Sequence, residues 1–144
     1  MPHLVVDVNT IISSLLGSGH SLLVFKLNSV LKEYKLITPE FFLIELGKHS
    51  SEIAERSKLS TEEANKVINF ISEQIELIPD SEFKDKIPEA RNMLGKHEKD
   101  VPYLALAIKK NCNIFSGDKT FKKLCPNMVK TPREVLEMFY LPKR

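Results

Sequence analysis

Apolar and polar positions alternate along this chain in a way that predicts short buried strands separated by amphipathic helices. Leu4-Val5-Val6 is a β-branched run that stops at Asp7 and reads as a first strand. Asn9 and Thr10 are expected to turn the chain and cap a helix, because Ile11, Ile12, Leu15 and Leu16 follow at helical spacing. After Gly17-Ser18-Gly19, residues His20 to Tyr34 place Leu23, Leu27, Val30, Leu31 and Tyr34 on one helical face, which is expected to point inward. Leu36-Ile37 is a second short strand. Thr38 and Pro39 then read as the N-cap and first turn of a helix running to about Glu55.

The second half repeats the alternation. Ser60 and Glu63 form a capping-box pattern ahead of Ala64, Val67, Ile68 and Ile71. Ile75 to Ile78 reads as a third strand, and Phe83 to Leu94 as a helix interrupted by Pro88 and stopped by Gly95. A charged connection, Lys96 to Lys99, leads into a helix from Val101 to about Lys110 with Val101, Leu104, Ala105 and Ile108 inward. Asn113 to Phe115 is a fourth strand ending in Ser116-Gly117-Asp118. A short helix then holds Phe121 and Leu124. Met128-Val129 is a fifth strand. Thr131, Pro132 and Glu134 make a second capping box before Val135, Leu136 and Phe139. Strands alternating with helices imply an α/β fold, a parallel sheet with helices on both faces. No repeat or linker divides the chain, so residues 1–144 are expected to form a single domain.

Composition narrows the class without naming it. The chain has 144 residues, 42% hydrophobic and 28% charged, as ordinary globular proteins have. No apolar run approaches the roughly 20 residues that a membrane helix needs. No secretion signal is visible. Cys112 and Cys125 lack the spacing of a metal knuckle, and reduced thiols in a cytoplasmic protein are the expectation. Net charge is +2, but from Lys109 onward nine Lys or Arg face three Asp or Glu, a net of +6 that leaves −4 for the first 108 residues. A basic final quarter suits a polyanionic partner and equally a solvated surface.

Four acids do not sit on polar faces. Asp7 ends the first strand. Glu45 lies on the helical face of Phe41 and Phe42. Asp100 opens a helix, where an N-cap role is the simplest account. Asp118 follows the fourth strand as Asp7 follows the first, so both leave a parallel sheet at one edge, where ligands bind in open α/β sheets. Clustered carboxylates repel unless a cation lies among them, and hard oxygen donors suit Mg²⁺ or Mn²⁺. The arrangement requires that no lysine ammonium fill the space between Asp7 and Asp118. His3, His20, His49 and His97 show no ligand spacing. Glu98 is an extra acid two residues before Asp100, in a charged loop where a solvated role is expected.

LVVDVNTIISSLL, the Glu45 segment FFLIELGKH, and DVPYLALAIKKNCNIFSGDKTF from Asp100 through Asp118 together resemble the PIN-domain ribonucleases. The likeness is greatest to the stand-alone prokaryotic members related to VapC-type toxins. The resemblance implies a three-layer α/β/α sandwich with sheet order 3-2-1-4-5, and Mg²⁺- or Mn²⁺-dependent cleavage of RNA. It implies that Asp7, Glu45, Asp100 and Asp118 are the catalytic, metal-binding acids, with Asp7 and Asp118 holding the metal most directly. Asn9 and Ser116 are expected to orient carboxylates by hydrogen bonds. Lys119, Lys122 and Lys123, just after Asp118, are candidates for RNA phosphate contact. A small antitoxin and a homodimer are the partners that the analogy implies. Two rivals stand beside this reading. One is a PIN-like domain that binds RNA or protein without cutting. The other is a haloacid-dehalogenase-like phosphatase, weakened because Asn9 stands where that motif has its second acid.

Overall fold

The computed structural model describes residues 1–16 and 19–141; of the connecting Gly17-Ser18-Gly19, only Gly19 lies among them. Five strands form one parallel sheet: β1 (His3–Val6), β2 (Lys35–Pro39), β3 (Ile75–Ile78), β4 (Asn113–Phe115) and β5 (Val129–Lys130). Their order is β3-β2-β1-β4-β5, as the resemblance implies. The chain therefore builds outward from β1 in one direction, then returns to add β4 and β5 on its other side. In register, Val5 faces Ile37 on β2, while Val6 faces Phe115 on β4. Leu4, Val5 and Val6 are all buried, which requires cover on both faces of the sheet.

Helices supply that cover and make the three-layer α/β/α fold. They are α1 (Val8–Leu15), α2 (Gly19–Leu31), α3 (Phe41–Lys48), α4 (Ser50–Arg56), α5 (Thr61–Ser72), α6 (Ile87–Leu94), α7 (Val101–Lys110), α8 (Lys119–Leu124) and α9 (Pro132–Phe139). α7 packs across β1, β2 and β4, and α6 packs on α7. α2 packs on α1 and α9, and its Phe25 ring lies 5.5 Å from the Phe115 ring on β4. Both expected capping boxes form with both of their hydrogen bonds, at Ser60–Glu63 and Thr131–Glu134. Gly95 stops α6 at φ 59°, a conformation that costs a side-chain-bearing residue energy.

Several expected details differ. Thr38 and Pro39 belong to β2 and not to a helix start. The Thr38 hydroxyl donates to the Val6 carbonyl at 2.8 Å and ties the two strands together. The long helix expected after them is two helices, breaking at His49. Pro88 does not interrupt a helix but sits in the first turn of α6, where its missing N–H costs nothing. The largest correction concerns α2. Leu23, Val30 and Leu31 are exposed, and the buried positions are Ser21, Val24, Phe25 and Asn28. Asn28 is buried because its amide group bonds both the N–H and the carbonyl of Tyr34, closing the turn into β2.

Candidate active site

β1 and β4 lie side by side, and the residues just beyond them meet. The Asp7 amide donates to the Phe115 carbonyl at 3.1 Å, continuing the ladder one step past the strand. Asp7 itself, rather than Asn9 or Thr10, is the N-cap of α1. Its Oδ1 accepts from the Asn9 amide at 3.3 Å, and its Oδ2 accepts from the Ser116 hydroxyl at 2.6 Å. The same Ser116 oxygen accepts from the Asp118 amide at 3.1 Å. One buried hydroxyl thus joins the Asp7 carboxylate to the Asp118 backbone amide. Asn9 acts through its backbone, and its side-chain oxygen lies over Gly117.

Asp118 caps α8. Its Oδ1 accepts from the amides of Thr120 and Phe121 at 2.9 and 3.1 Å, while its Oδ2 lies 3.6 Å from Lys99 Nζ. The cap and the site are served by different oxygens of one carboxylate. Lys99 pairs with Asp118 and is not paired with Asp7, whose partner is Ser116. The ammonium lies at pairing distance from Asp118, and its charge also reaches Asp7 and Asp100, so it partly occupies the place that a cation would take.

Asp100 contradicts the capping expectation. It occupies the N-cap position of α7 yet makes no cap hydrogen bond. It closes a 3₁₀ turn in helical conformation, and Pro102 offers no N–H to accept from. Its side chain is buried, with Oδ2 lacking any hydrogen-bond partner. Glu45 comes from α3, its side chain mostly covered, and pairs with Lys48 at 3.4 Å. Asp7, Asn9, Glu45, Asp100 and Asp118 line one small cavity of about 60 Å³. The four acids, separated by up to 111 positions in sequence, are brought to one place.

Their electrostatics agree with that crowding. Burial, partly offset by Ser116 and Asn9 and reinforced by Asp118, holds the Asp7 carboxyl above its ordinary range. Asp100 is pushed up to about 7, by burial first and then by the charges of Asp7 and Asp118, with Lys99 partly compensating. These groups want a cation. Among the described residues, no group of three or more His, Cys, Asp or Glu side chains is placed so that it could hold a metal ion. The donor set suits an ion that takes one or two carboxylates and keeps several waters, as Mg²⁺ does.

Lys99 and Tyr103, which the sequence did not single out, line the cavity, and so does His49, which was set aside there for want of ligand spacing. His49 is four residues after Glu45, and Tyr103 is three after Asp100, so helical spacing carries the only signal. His49 Nδ1 lies 3.1 Å from Glu52. Glu98 pairs with Arg91 at 2.9 Å and stays exposed, as expected. Lys119 and Lys123 are exposed on α8, the helix that Asp118 caps. Lys122 is occupied differently. Its ammonium donates to the carbonyls of Pro126 and Val129 and pairs with Glu134, holding β5 in place.

A family model described as the PIN domain matches residues 5–137. The chain belongs to the PIN-domain family. Its members are generally nucleases that use divalent metals. Among solved structures, this PIN domain is similar to PAE2754 from Pyrobaculum aerophilum, with 12% identity, a TM-score of 0.70 and 97% of each chain covered. At that identity the likeness speaks for the fold alone. No curated protein matches the chain. Family membership takes the place of the phosphatase rival. Among the described residues, no single helix is long and apolar enough to cross a membrane.

Proposed function

We propose that this PIN domain is a Mg²⁺- or Mn²⁺-dependent endoribonuclease that hydrolyses RNA phosphodiester bonds. The observation that carries this reading is Asp100: a buried carboxyl with an unpartnered oxygen, its pKa raised by burial first and then by three neighbouring acids. A divalent ion, when bound, neutralises phosphate charge and makes water a better nucleophile. Asp7 and Asp118 would hold it, with Asp100 and Glu45 completing the acidic lining. Ser116 and the α8 amides fix the first two carboxylates before any substrate arrives, so little reorganisation is left for the reaction. In the hydrolysis, a water oxygen bonds phosphorus and the bond from phosphorus to the 3′-oxygen breaks. The 3′-oxygen takes a proton and the water loses one. By family analogy the products are a 5′-phosphate and a 3′-hydroxyl. Lys119, Lys123 and Lys99 are the cations suited to RNA phosphates.

The partners belong to the same proposal. A small antitoxin is supported by an apolar groove of about 500 Å³ lined by α3, α4 and α5, with Leu43 exposed on it. A homodimer is supported by the exposed Leu23, Val30 and Leu31 of α2. A cytoplasmic setting suits both and suits the free thiols of Cys112 and Cys125. The spacing of the acids, of which no three are placed to hold a metal ion among the described residues, favours a second reading, a domain that binds RNA without cutting it. One experiment separates the two. With Mn²⁺ and a mixed-sequence RNA, wild type cleaves and chelator stops it, whereas Asp7→Asn retains its circular dichroism and loses about a thousandfold or more in rate. Equal cleavage by the variant would remove Asp7 from the site.

A further inference from the structure

The acidic cavity already holds a positive charge. Among the described residues that line it, Lys99 is the single lysine or arginine. Its Nζ lies 3.6 Å from Asp118 Oδ2, and its charge also reaches Asp7 and Asp100, working against the rise of both carboxyls. Asp118 Oδ1 accepts from two α8 amides, so the oxygen that the ammonium takes is the one left for a cation. The ammonium is held loosely. The Asp118 side chain is 16% exposed but that of Lys99 is 65% exposed, and an ion pair so open to water contributes little to stability. The neighbouring Glu98 does not hold it, because Arg91 takes Glu98 at 2.9 Å. Lys99 lies in the 3₁₀ turn Glu98–Asp100, and its flexible four-carbon stem lets the ammonium leave while the turn that carries Asp100 stays. Among the described residues, no three acids are placed so that they could hold a metal ion. Acids gathered around an ammonium are spaced for hydrogen-bond lengths, longer than the roughly 2.0–2.1 Å that Mg²⁺ demands.

Resting on the nuclease reading, we propose that Lys99 is a place-holding cation, traded between the acids and the RNA. Without metal, its ammonium offsets the repulsion among Asp7, Asp100 and Asp118. A divalent ion carries twice that charge and displaces it, and the carboxylates draw in around the smaller ion. The freed ammonium, still anchored beside Asp100, then pairs with a phosphate oxygen of the bound RNA. A lysine that only binds RNA would affect RNA alone. One that holds the metal's place affects metal and RNA in opposite directions.

Lys99→Met keeps the apolar stem and removes the charge, and is compared with wild type and Lys99→Arg. Mn²⁺ affinity by calorimetry should rise about 10-fold in Lys99→Met, because a competing charge has gone. The rise in melting temperature on adding a fixed Mn²⁺ concentration should be larger for it than for wild type. At saturating Mn²⁺, its KM for RNA should increase about 3- to 10-fold, because one phosphate contact is lost. Lys99→Arg keeps the charge and should stay within about threefold of wild type in both constants. An Mn²⁺ affinity that is unchanged or weaker in Lys99→Met would overturn the proposal, as would an unchanged KM. If wild type binds Mn²⁺ and cleaves RNA while Lys99→Met matches it, this inference alone falls. If wild type neither binds Mn²⁺ nor cleaves RNA, the nuclease reading falls and takes this inference with it.

Discussion

β1 and β4 run side by side, and each end of the pair opens onto a cavity. At the amino end is a space of about 460 Å³ lined by His3, Tyr34, Lys110, Cys112, Met128 and their neighbours. At the carboxyl end is one of about 60 Å³ lined by four acids. The larger cavity is chemically quieter. No acid lines it, and burial raises the Cys112 thiol to about 11, which keeps it protonated and unreactive at neutral pH. The smaller one collects two buried carboxyls with raised pKa values, one of them with an oxygen that has no hydrogen-bond partner. Topology explains the asymmetry. The order reverses at β1, so the connections leaving β1 and β4 diverge at their carboxyl ends and leave a crevice there. Of these two spaces, the smaller is the one that carries the chemistry.

The largest effect that sharpens this contrast comes from Ser116, which belongs wholly to the acidic end. Its hydroxyl donates to Asp7 and accepts from the Asp118 amide. Ser116→Ala leaves both acids in place but frees Asp7 to rotate. Mn²⁺ affinity, read by calorimetry, should fall about 10- to 100-fold, in line with the loss of other groups that orient ligands. Cleavage should fall with it. Unchanged affinity would mean that the Asn9 amide and the strand register suffice to aim Asp7.

Asp100 gives the next effect, on stability. Its folded pKa of about 7 lies above the model-compound value of 3.8. Between those values the folded chain keeps a proton that the unfolded chain releases. Stability of the metal-free protein is therefore drawn down as pH rises from about 4 to 7, and the deficit is complete above 7. Asp100→Asn removes about half of the deficit, because its amide is left in the same buried and unpartnered place. At pH 8 with chelator present, urea unfolding should show it more stable than wild type by about 2 kcal/mol, with little difference near pH 4. Mn²⁺ should narrow the gap at pH 8 by stabilising wild type. A gap independent of pH would mean that the carboxyl is not strained by its neighbours.

Much of this site was legible before the fold was known, and the part that was not has a common cause. Asp7 and Asp118 stand directly after apolar strands, and the parallel arrangement follows from helices between them, so their meeting could be argued from order alone. Asp100 and Glu45 were reached with help from the family resemblance. Tyr103 and Lys99 were missed, and His49 was set aside, because they reach the cavity only when α3 and α7 close over the sheet edge, an approach with no local signature. Lys122 was read as an RNA contact because it follows Asp118. It is instead occupied by the carbonyls around β5, which local spacing does not reveal. The α2 face was inverted for a related reason. Ser21 and Asn28 lie on its buried side, and Asn28 is satisfied there by Tyr34, a partner that hydrophobic periodicity does not count.

The smallest expected effect is at the amino end. Cys112 precedes β4 as His3 opens β1, and the register that pairs Leu4 with Asn113 sets them one step further back. They are thus at the opposite end of the two strands that deliver Asp7 and Asp118. Cys112 packs half-buried against the core, so Cys112→Ala should cost stability, about 1 kcal/mol. The strand pairing does not depend on that side chain, because the ladder is made by backbone groups. Distant sites without shared partners act independently. Mn²⁺ affinity and the cleavage rate of the folded fraction should both stay within about twofold of wild type. A tenfold change in either would mean that β4 transmits a shift along its three residues to Ser116, and the two ends would have to be treated as one coupled unit.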